Sequence, residues 1–399
     1  MQSPFIFLFL IVRLISLPAN SITEEKNTTQ TTRSEWTRVE KDLTRTNNES
    51  QRMHKGVNFE GYRSLVVDNN FNEAVLLKVI SEKKIAHLLL GQSKQLRNVE
   101  AWFFPGTSDQ NALVIGGVHG SELSSMDVAK ALVQQLQQTN SSYYNVIIIP
   151  ALFPDNASKA INNPEHIGST ANIGRYTRSN SVDPNRQMPS PGKAFDVAMR
   201  VDHLGRQIES ENQLLLQLIQ TFHPQRIMNI HAIRNSSYGG VYADPRTDHA
   251  GIALGYSSDS SLAIQMAAYI DAQGGNVKGN NLDTKPTALY YKDPMPSPAG
   301  VLQKRNITGS DLHAHRGTGI SLGTWASTAV VYDEDPSKSR DAIRVITMEY
   351  PGCKRPEDYK SVSDQLFHLK QIELFASSVH VIFLGDYFAE NKIYDLVKK

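Results

Sequence analysis

A histidine and a glutamate three positions apart, His119 and Glu122 in GGVHGSE, directly follow the apolar run ALVIGG. On a turn leaving a buried strand, an imidazole and a carboxylate at that spacing can both reach one cation. Both are ordinary zinc ligands, and a catalytic zinc takes three protein ligands and keeps a position open for water. His231, in MNIHA, also follows an apolar run and is a good third ligand. Glu349 follows the run RVITM, where a lone carboxylate is costly without a task or a partner such as nearby Arg344. Taken singly, His119, Glu122 and His231 are better explained as parts of a polar turn or a satisfied strand end. Taken as a set, they favour a metal site.

The elements that must position them alternate along the chain. KIAHLLLG, NVEAWFFPG, ALVIGG, NVIIIPAL, RIMNIHA and RVITMEYPG read as strands. NVIIIPAL lacks polar alternation, as expected of a sheet covered on both faces. ELSSMDVAKALVQQLQQ, HLGRQIESENQLLLQLIQTF and SLAIQMAAYIDAQ carry helical spacing, the last ended by Gly274-Gly275. VSDQLFHLKQIELFASSVHVIFLGDYF reads as a long closing helix. The order predicts a single α/β domain over 56–399 with a mixed, mostly parallel sheet and helices on both faces. In such sheets ligands bind beyond the carboxyl ends of strands, which is where His119, Glu122, His231 and Glu349 fall.

The 399 residues include 41 basic and 40 acidic side chains, a net charge of +1 that gives no support for nucleic-acid binding. One cysteine, Cys353, rules out an internal disulfide. It has no evident base or orienting group and reads as a packing residue. Residues 1–21 hold a short apolar run broken by Arg13 and a small-residue site at Ala19-Asn20-Ser21. They read as a signal peptide for export to the periplasm or the cell exterior, with an uncleaved anchor as the alternative. No stable membrane span is expected after its removal. The Thr-, Asn- and Ser-rich segment 22–55 reads as a disordered linker.

GVHGSE, DPNR, NIHA and TMEYP, in that order, resemble the landmarks of the zinc carboxypeptidase family. The likeness spans about residues 83–385 and includes GQSKQLRNVEAWFF near its start. Ser321-Leu322-Gly323-Thr324-Trp325 is similar to an element of the bacterial murein peptide amidase branch. The resemblance implies that His119, Glu122 and His231 hold one Zn²⁺ ion and that Glu349 is the general base. It implies that Arg175, in GRYTRS, supports the oxyanion, and that Asn185 and Arg186 grip the free carboxylate of a peptide substrate. Arg178 could assist either arginine role, with solvation at the surface the less favoured alternative for it and, still less, for Arg186.

The family's closing aromatic stays open among Tyr290, Tyr291, Trp325 and Tyr332, with Trp325 counted among the substrate contacts. The segment around 290–320 is rich in proline and glycine and reads as a loop at the site's mouth. His313 and His315 within it read more readily as solvated loop histidines than as ligands. The expected activity is a zinc metallocarboxypeptidase acting near the free C-terminus of a cell-wall (murein) peptide. The alternatives are an N-acyl amino acid deacylase similar to aspartoacylase and succinylglutamate desuccinylase, and a catalytically silent peptide-binding module.

Overall fold

The computed structural model describes residues 64–65, 71–139, 142–177, 182–234, 237–254, 257–277 and 318–386. All lie within one compact unit, Tyr62–Lys399. The segments read as a leader (1–21) and a linker (22–55), and Arg178, Tyr290, Tyr291, His313 and His315, lie outside the described residues.

Among the described residues, eight strands form one sheet: β1 (Ser64–Leu65), β2 (Ala86–Gln92), β3 (Asn98–Phe104), β4 (Asn111–Ile115), β5 (Asn145–Ile149), β6 (Arg226–Ile233), β7 (Gly240–Ala243) and β8 (Arg344–Pro351). Their spatial order is β1-β2-β3-β5-β4-β6-β8-β7. The central strands β5, β4, β6 and β8 are mutually parallel, and antiparallel pairings join β2 to β3, β3 to β5 and β8 to β7. The expected mixed sheet is therefore present, with its parallel part at the centre.

Helices cover both faces. α1 (Glu73–Glu82), α4 (Ser210–Phe222) and the short α6 (Leu322–Ala326) contribute to one core, with Leu113, Ile115, Ile147 and Val345 from the sheet. α2 (Leu123–Thr139), α5 (Ser257–Ala272) and α7 (Val362–Ser378) pack on the other face, against Val114, Ile148, Met228 and Ile346. α3 (Pro154–Ile161) adds Ala157 and Ala160 to that second core. Alternate residues of one strand thus enter different cores, which is why β5 reads as an unbroken apolar run. In α2, Leu123, Met126, Ala129, Leu132, Val133 and Leu136 recur at helical spacing on the buried stripe.

Two expectations are corrected. The helix read over 203–222 begins only at Ser210. Upstream, Asp202 Oδ1 accepts the N–H groups of Leu204 (2.9 Å) and Arg206 (2.8 Å), and Gly205 takes φ +74°. That side-chain capture of the backbone competes with helix formation. The closing helix ends at Ser378 and passes into a π-helical turn, Val379–Phe383.

Candidate functional site

The chain runs from β4 through α2 to β5 on one side of β4, then crosses to β6 on the other side. The crevice beyond β4 and β6 is the switch point where such sheets accept ligands. Gly117, at φ +64°, turns the chain out of β4, a conformation that L side chains rarely adopt. The Glu122 N–H then donates to the His119 carbonyl (3.1 Å), which closes the turn and sets the two side chains next to each other. His231 arrives on β6, and Glu349 is its Cα partner on β8.

His119, Glu122 and His231 are all buried, and one ligand atom from each lies within 4.8 Å of the others. His119 Nδ1 is 2.9 Å from Glu122 Oε1, and His231 Nδ1 is 2.9 Å from Glu122 Oε2. His119 Nε2 is 2.9 Å from Asp183 Oδ1. His119 therefore sits between two acceptor-only carboxylates, and a neutral imidazole has one N–H to give. Either the ring takes a second proton or its Nδ1 lone pair meets a cation. Without a cation, burial would lower the His119 pKa, but the charges of Glu122 and Asp183 and the hydrogen bonds to both prevail and raise it to about 9. Burial would likewise raise Glu122 and Asp183, yet both are held well below the usual carboxylate range, Glu122 by the two histidines and Asp183 by His119, Arg175 and Arg186. Two imidazole nitrogens and a carboxylate converging on one point fit a zinc-type donor set.

Asp183 was not among the residues singled out in the sequence. It precedes Asn185 by two positions in DPNR, and its side chain does two jobs: Oδ1 accepts from the Asn185 N–H (2.9 Å) and faces His119. A carboxylate behind a ligating histidine fixes the tautomer and raises ligand basicity. Its signal was its place inside the quoted motif.

Arg175 Nη1 donates to Glu122 Oε1 (2.7 Å), and its other terminal nitrogen is 3.7 Å from Asp183 Oδ2. It therefore stands at the site, on the side of Glu122. Next to it opens a cleft of about 350 Å³ lined in part by Glu122, Arg175, Asn172, Ser169 and Arg234. Arg186 donates Nη1 to the Asn185 carbonyl (2.7 Å) and makes no carboxylate ion pair among the described residues. Asn185 is placed differently from a substrate clamp. Its Oδ1 accepts from Leu322 N–H (3.0 Å) and its Nδ2 faces His231 Nε2 at 3.4 Å, so it ties α6 to His231.

Glu349 is pushed up to about 7, by burial first, with the charge of Glu122 adding and that of His231 opposing. Arg344 is not its partner, because that guanidinium pairs with Asp259. The Tyr242 phenol, on β7, makes a polar contact with Glu349. Burial first, then the neighbouring carboxylates, drive its pKa well above the usual range. Tyr242 brings an aromatic hydroxyl to this site, and it was missed because a four-residue strand offers too little alternation to read.

Trp325 does not face the site. It is fully buried, donates Nε1 to the Lys193 carbonyl (2.9 Å) and carries the Arg340 guanidinium 4.4 Å above its ring. Tyr332 is spent on the surface, donating to Glu334 (2.9 Å). Cys353 is buried, and burial raises its thiol far above the reactive range, in keeping with packing.

No protein-family profile matches the chain, and no curated protein sequence matches it either. Among solved structures it is similar to a carboxypeptidase A from Helicoverpa armigera, at 14% identity and TM-score 0.43, over 82% of this chain and 71% of that one. It is also similar to a metallo-carboxypeptidase from Pseudomonas aeruginosa (13%, TM-score 0.41, 78% and 68%) and one from Burkholderia cenocepacia (14%, TM-score 0.39, 77% and 68%). These likenesses are distant and concern the course of the backbone.

Proposed function

We propose that this chain is an exported, zinc-dependent metallocarboxypeptidase that hydrolyses an amide near the free C-terminus of a peptide, with murein peptides as the intended substrate. The observation that carries the reading is the convergence of His119 Nδ1 and His231 Nδ1 on the two oxygens of Glu122, with Glu349 the Cα partner of His231. The murein assignment is supported by the leader-like residues 1–21 and by the SLGTW element.

His119, Glu122 and His231 would hold the ion. When bound, zinc supplies Lewis acidity that favours ionised water near neutral pH and polarises a carbonyl. Glu349 takes the proton of the attacking water as its oxygen bonds to the amide carbon, and passes that proton to the departing amine as the C–N bond breaks. A carboxylate whose pKa is held near 7 is suited to both transfers. Arg175 offers a guanidinium next to the ligand set for the developing negative oxygen. Arg186 offers the donors for the substrate's terminal carboxylate.

The test uses the zinc-loaded chain and its chelated counterpart with muropeptides, N-acyl dipeptides and N-acetyl or N-succinyl amino acids, followed by mass spectrometry. Release of a C-terminal residue or dipeptide by the loaded protein, and none from C-terminally amidated peptides, is expected. Cleavage confined to N-acyl amino acids would replace the peptidase with a deacylase.

A further inference from the structure

The cleft beside Arg175 lies on one flank of His119, Glu122 and His231. Ser121 and Glu122 reach it from the turn after β4, Ala232 and Ile233 from the end of β6, and Asn172 and Arg175 from the loop that follows α3. The Ala232 N–H donates to Glu122 Oε2 (3.2 Å), which fixes one wall of the cleft to that carboxylate. Asn185 and Arg186 are not part of its lining, and Asn185 lies on the α6 side of His231. A peptide with its terminal carboxylate at Arg186 and its scissile carbonyl at Arg175 therefore lays its acyl part in this cleft.

The charges along the cleft are not balanced. Arg175 is spent on Glu122 and Asp183, and His166 Nε2 faces Glu165 Oε1 at 3.4 Å. Arg234 follows Ile233, is exposed, and lines the cleft. Its Nη1 donates to the Ser169 carbonyl (3.3 Å) and to Asn172 Oδ1 (3.2 Å). Both acceptors are neutral, and among the described residues Arg234 has no carboxylate partner. Glu122 is the one carboxylate among the described residues of the lining, and His119, His231 and Arg175 already hold it.

The loop that orients Arg234 is bent to do so. Gly168, Asn172 and Gly174 take φ of +74°, +51° and +82°. A Cβ on Gly174 would lie 2.4 Å from the Asn156 carbonyl oxygen. Asparagine tolerates the left-handed region better than most side chains. Asn172 thus holds one edge of the guanidinium and leaves its Nε and Nη2 donors for a ligand. A planar fork of two donors matches a carboxylate.

We propose that Arg234 makes this cleft selective for a substrate whose acyl-side residue carries a carboxylate, either on its side chain or as the free α-carboxylate of a γ-linked residue. The inference rests on the carboxypeptidase reading for the direction of the substrate, and the test separates the two.

The zinc-loaded protein is offered N-acetyl dipeptides ending in Leu or Lys, in two matched pairs. One pair has Glu against Gln on the acyl side. The other has γ-linked Glu against its α-amide. In one pair the acid is expected to exceed the amide in kcat/KM by about 10-fold at low salt, the scale of a charge-assisted hydrogen bond. The pair that shows it names the source of the carboxylate. The ratio is expected to shrink at high salt, because an exposed charge is screened. Arg234→Gln is expected to bring it within two-fold of one and to leave cleavage of the amide peptides unchanged. Equal cleavage within both pairs, or an unchanged ratio in Arg234→Gln, would overturn the role of Arg234 and leave the peptidase reading intact. A second measurement needs no turnover: calorimetric binding of the same peptides to the zinc-loaded Glu349→Gln protein at low salt. If the parent cleaves none of them, acid-selective binding that is lost on adding Arg234→Gln still supports the cleft. Binding without that selectivity, or no binding, sinks it.

Discussion

Strands β6 and β8 run side by side, and the two ends of the pair are opposite in their electrostatics. At the entry end the Cα partners are Arg226 and Arg344; at the exit end they are His231 and Glu349. Arg226 donates to the Phe383 carbonyl (2.6 Å) and lies 4.5 Å above the Tyr144 ring. Arg344 shares the fully buried Asp259 with Arg246. At the exit end the carboxylates Glu122, Asp183 and Glu349 gather around two histidines and Arg175, and Glu349 stays raised to about 7. One end is closed with complementary partners and serves stability. The other has charges without full complements, as expected where an ion and a substrate supply the rest.

The sharpest break of that contrast is Glu349→Gln. It removes the proposed proton carrier and leaves His119, Glu122 and His231 in place. Turnover of a cleaved peptide is expected to fall about 10³-fold or more, the upper range for a positioned general base. Zinc content by atomic absorption is expected to stay at one ion per chain. Loss of the ion together with the rate would make Glu349 structural.

Asp259→Ala tests the entry end. It leaves Arg246 and Arg344 facing a buried gap, and the expected cost is about 3 kcal/mol, the low end for stripping one partner from a buried pair. Chemical denaturation reads that loss. Activity per folded molecule is expected to match the parent. A fall in kcat without a fall in stability would mean that the two ends are coupled and the contrast is false.

Much of the exit end was legible in sequence because the strands that deliver it are continuous apolar runs. VITM before Glu349 and IMNI before His231 leave little choice of face or end once a parallel sheet is inferred. What escaped is set by contacts distant in sequence. Asp183 reads as a turn residue, and nothing local says that it meets His119. The 203–209 stretch has the spacing of a helix, but Asp202 captures its backbone first. Trp325 looks like a substrate-facing aromatic, yet Arg340, 15 positions later, lies over its ring and donates to its carbonyl.

Asp183→Asn is a milder probe of the exit end. The amide can still accept from His119 Nε2, so the tautomer survives while the charge behind it is lost. Zinc affinity is expected to weaken about 10- to 100-fold, as for other partners of ligating histidines. Competition with a chelator of known affinity measures it. An unchanged affinity would restrict Asp183 to capping the Pro184–Arg186 turn.

The smallest effect expected is on the metal-free protein, and its sign follows from His119. Its folded pKa, about 9, lies above the unfolded value near 6.5. The folded state therefore binds the proton more tightly, and this stabilisation is fully present below pH 6.5 and is lost as pH rises through 9. The melting temperature of the chelated protein is expected to decline across that window. If His119 holds zinc as proposed, the ion would take the place of the proton, and the decline is expected to disappear. Proton release on adding zinc at pH 7.5 to weakly buffered, metal-free protein is the companion signal, because ligand and proton compete for the same lone pair. A flat profile without metal would mean that His119 is neutral there, and that the exit end is better compensated by its own residues than the contrast with Asp259 requires.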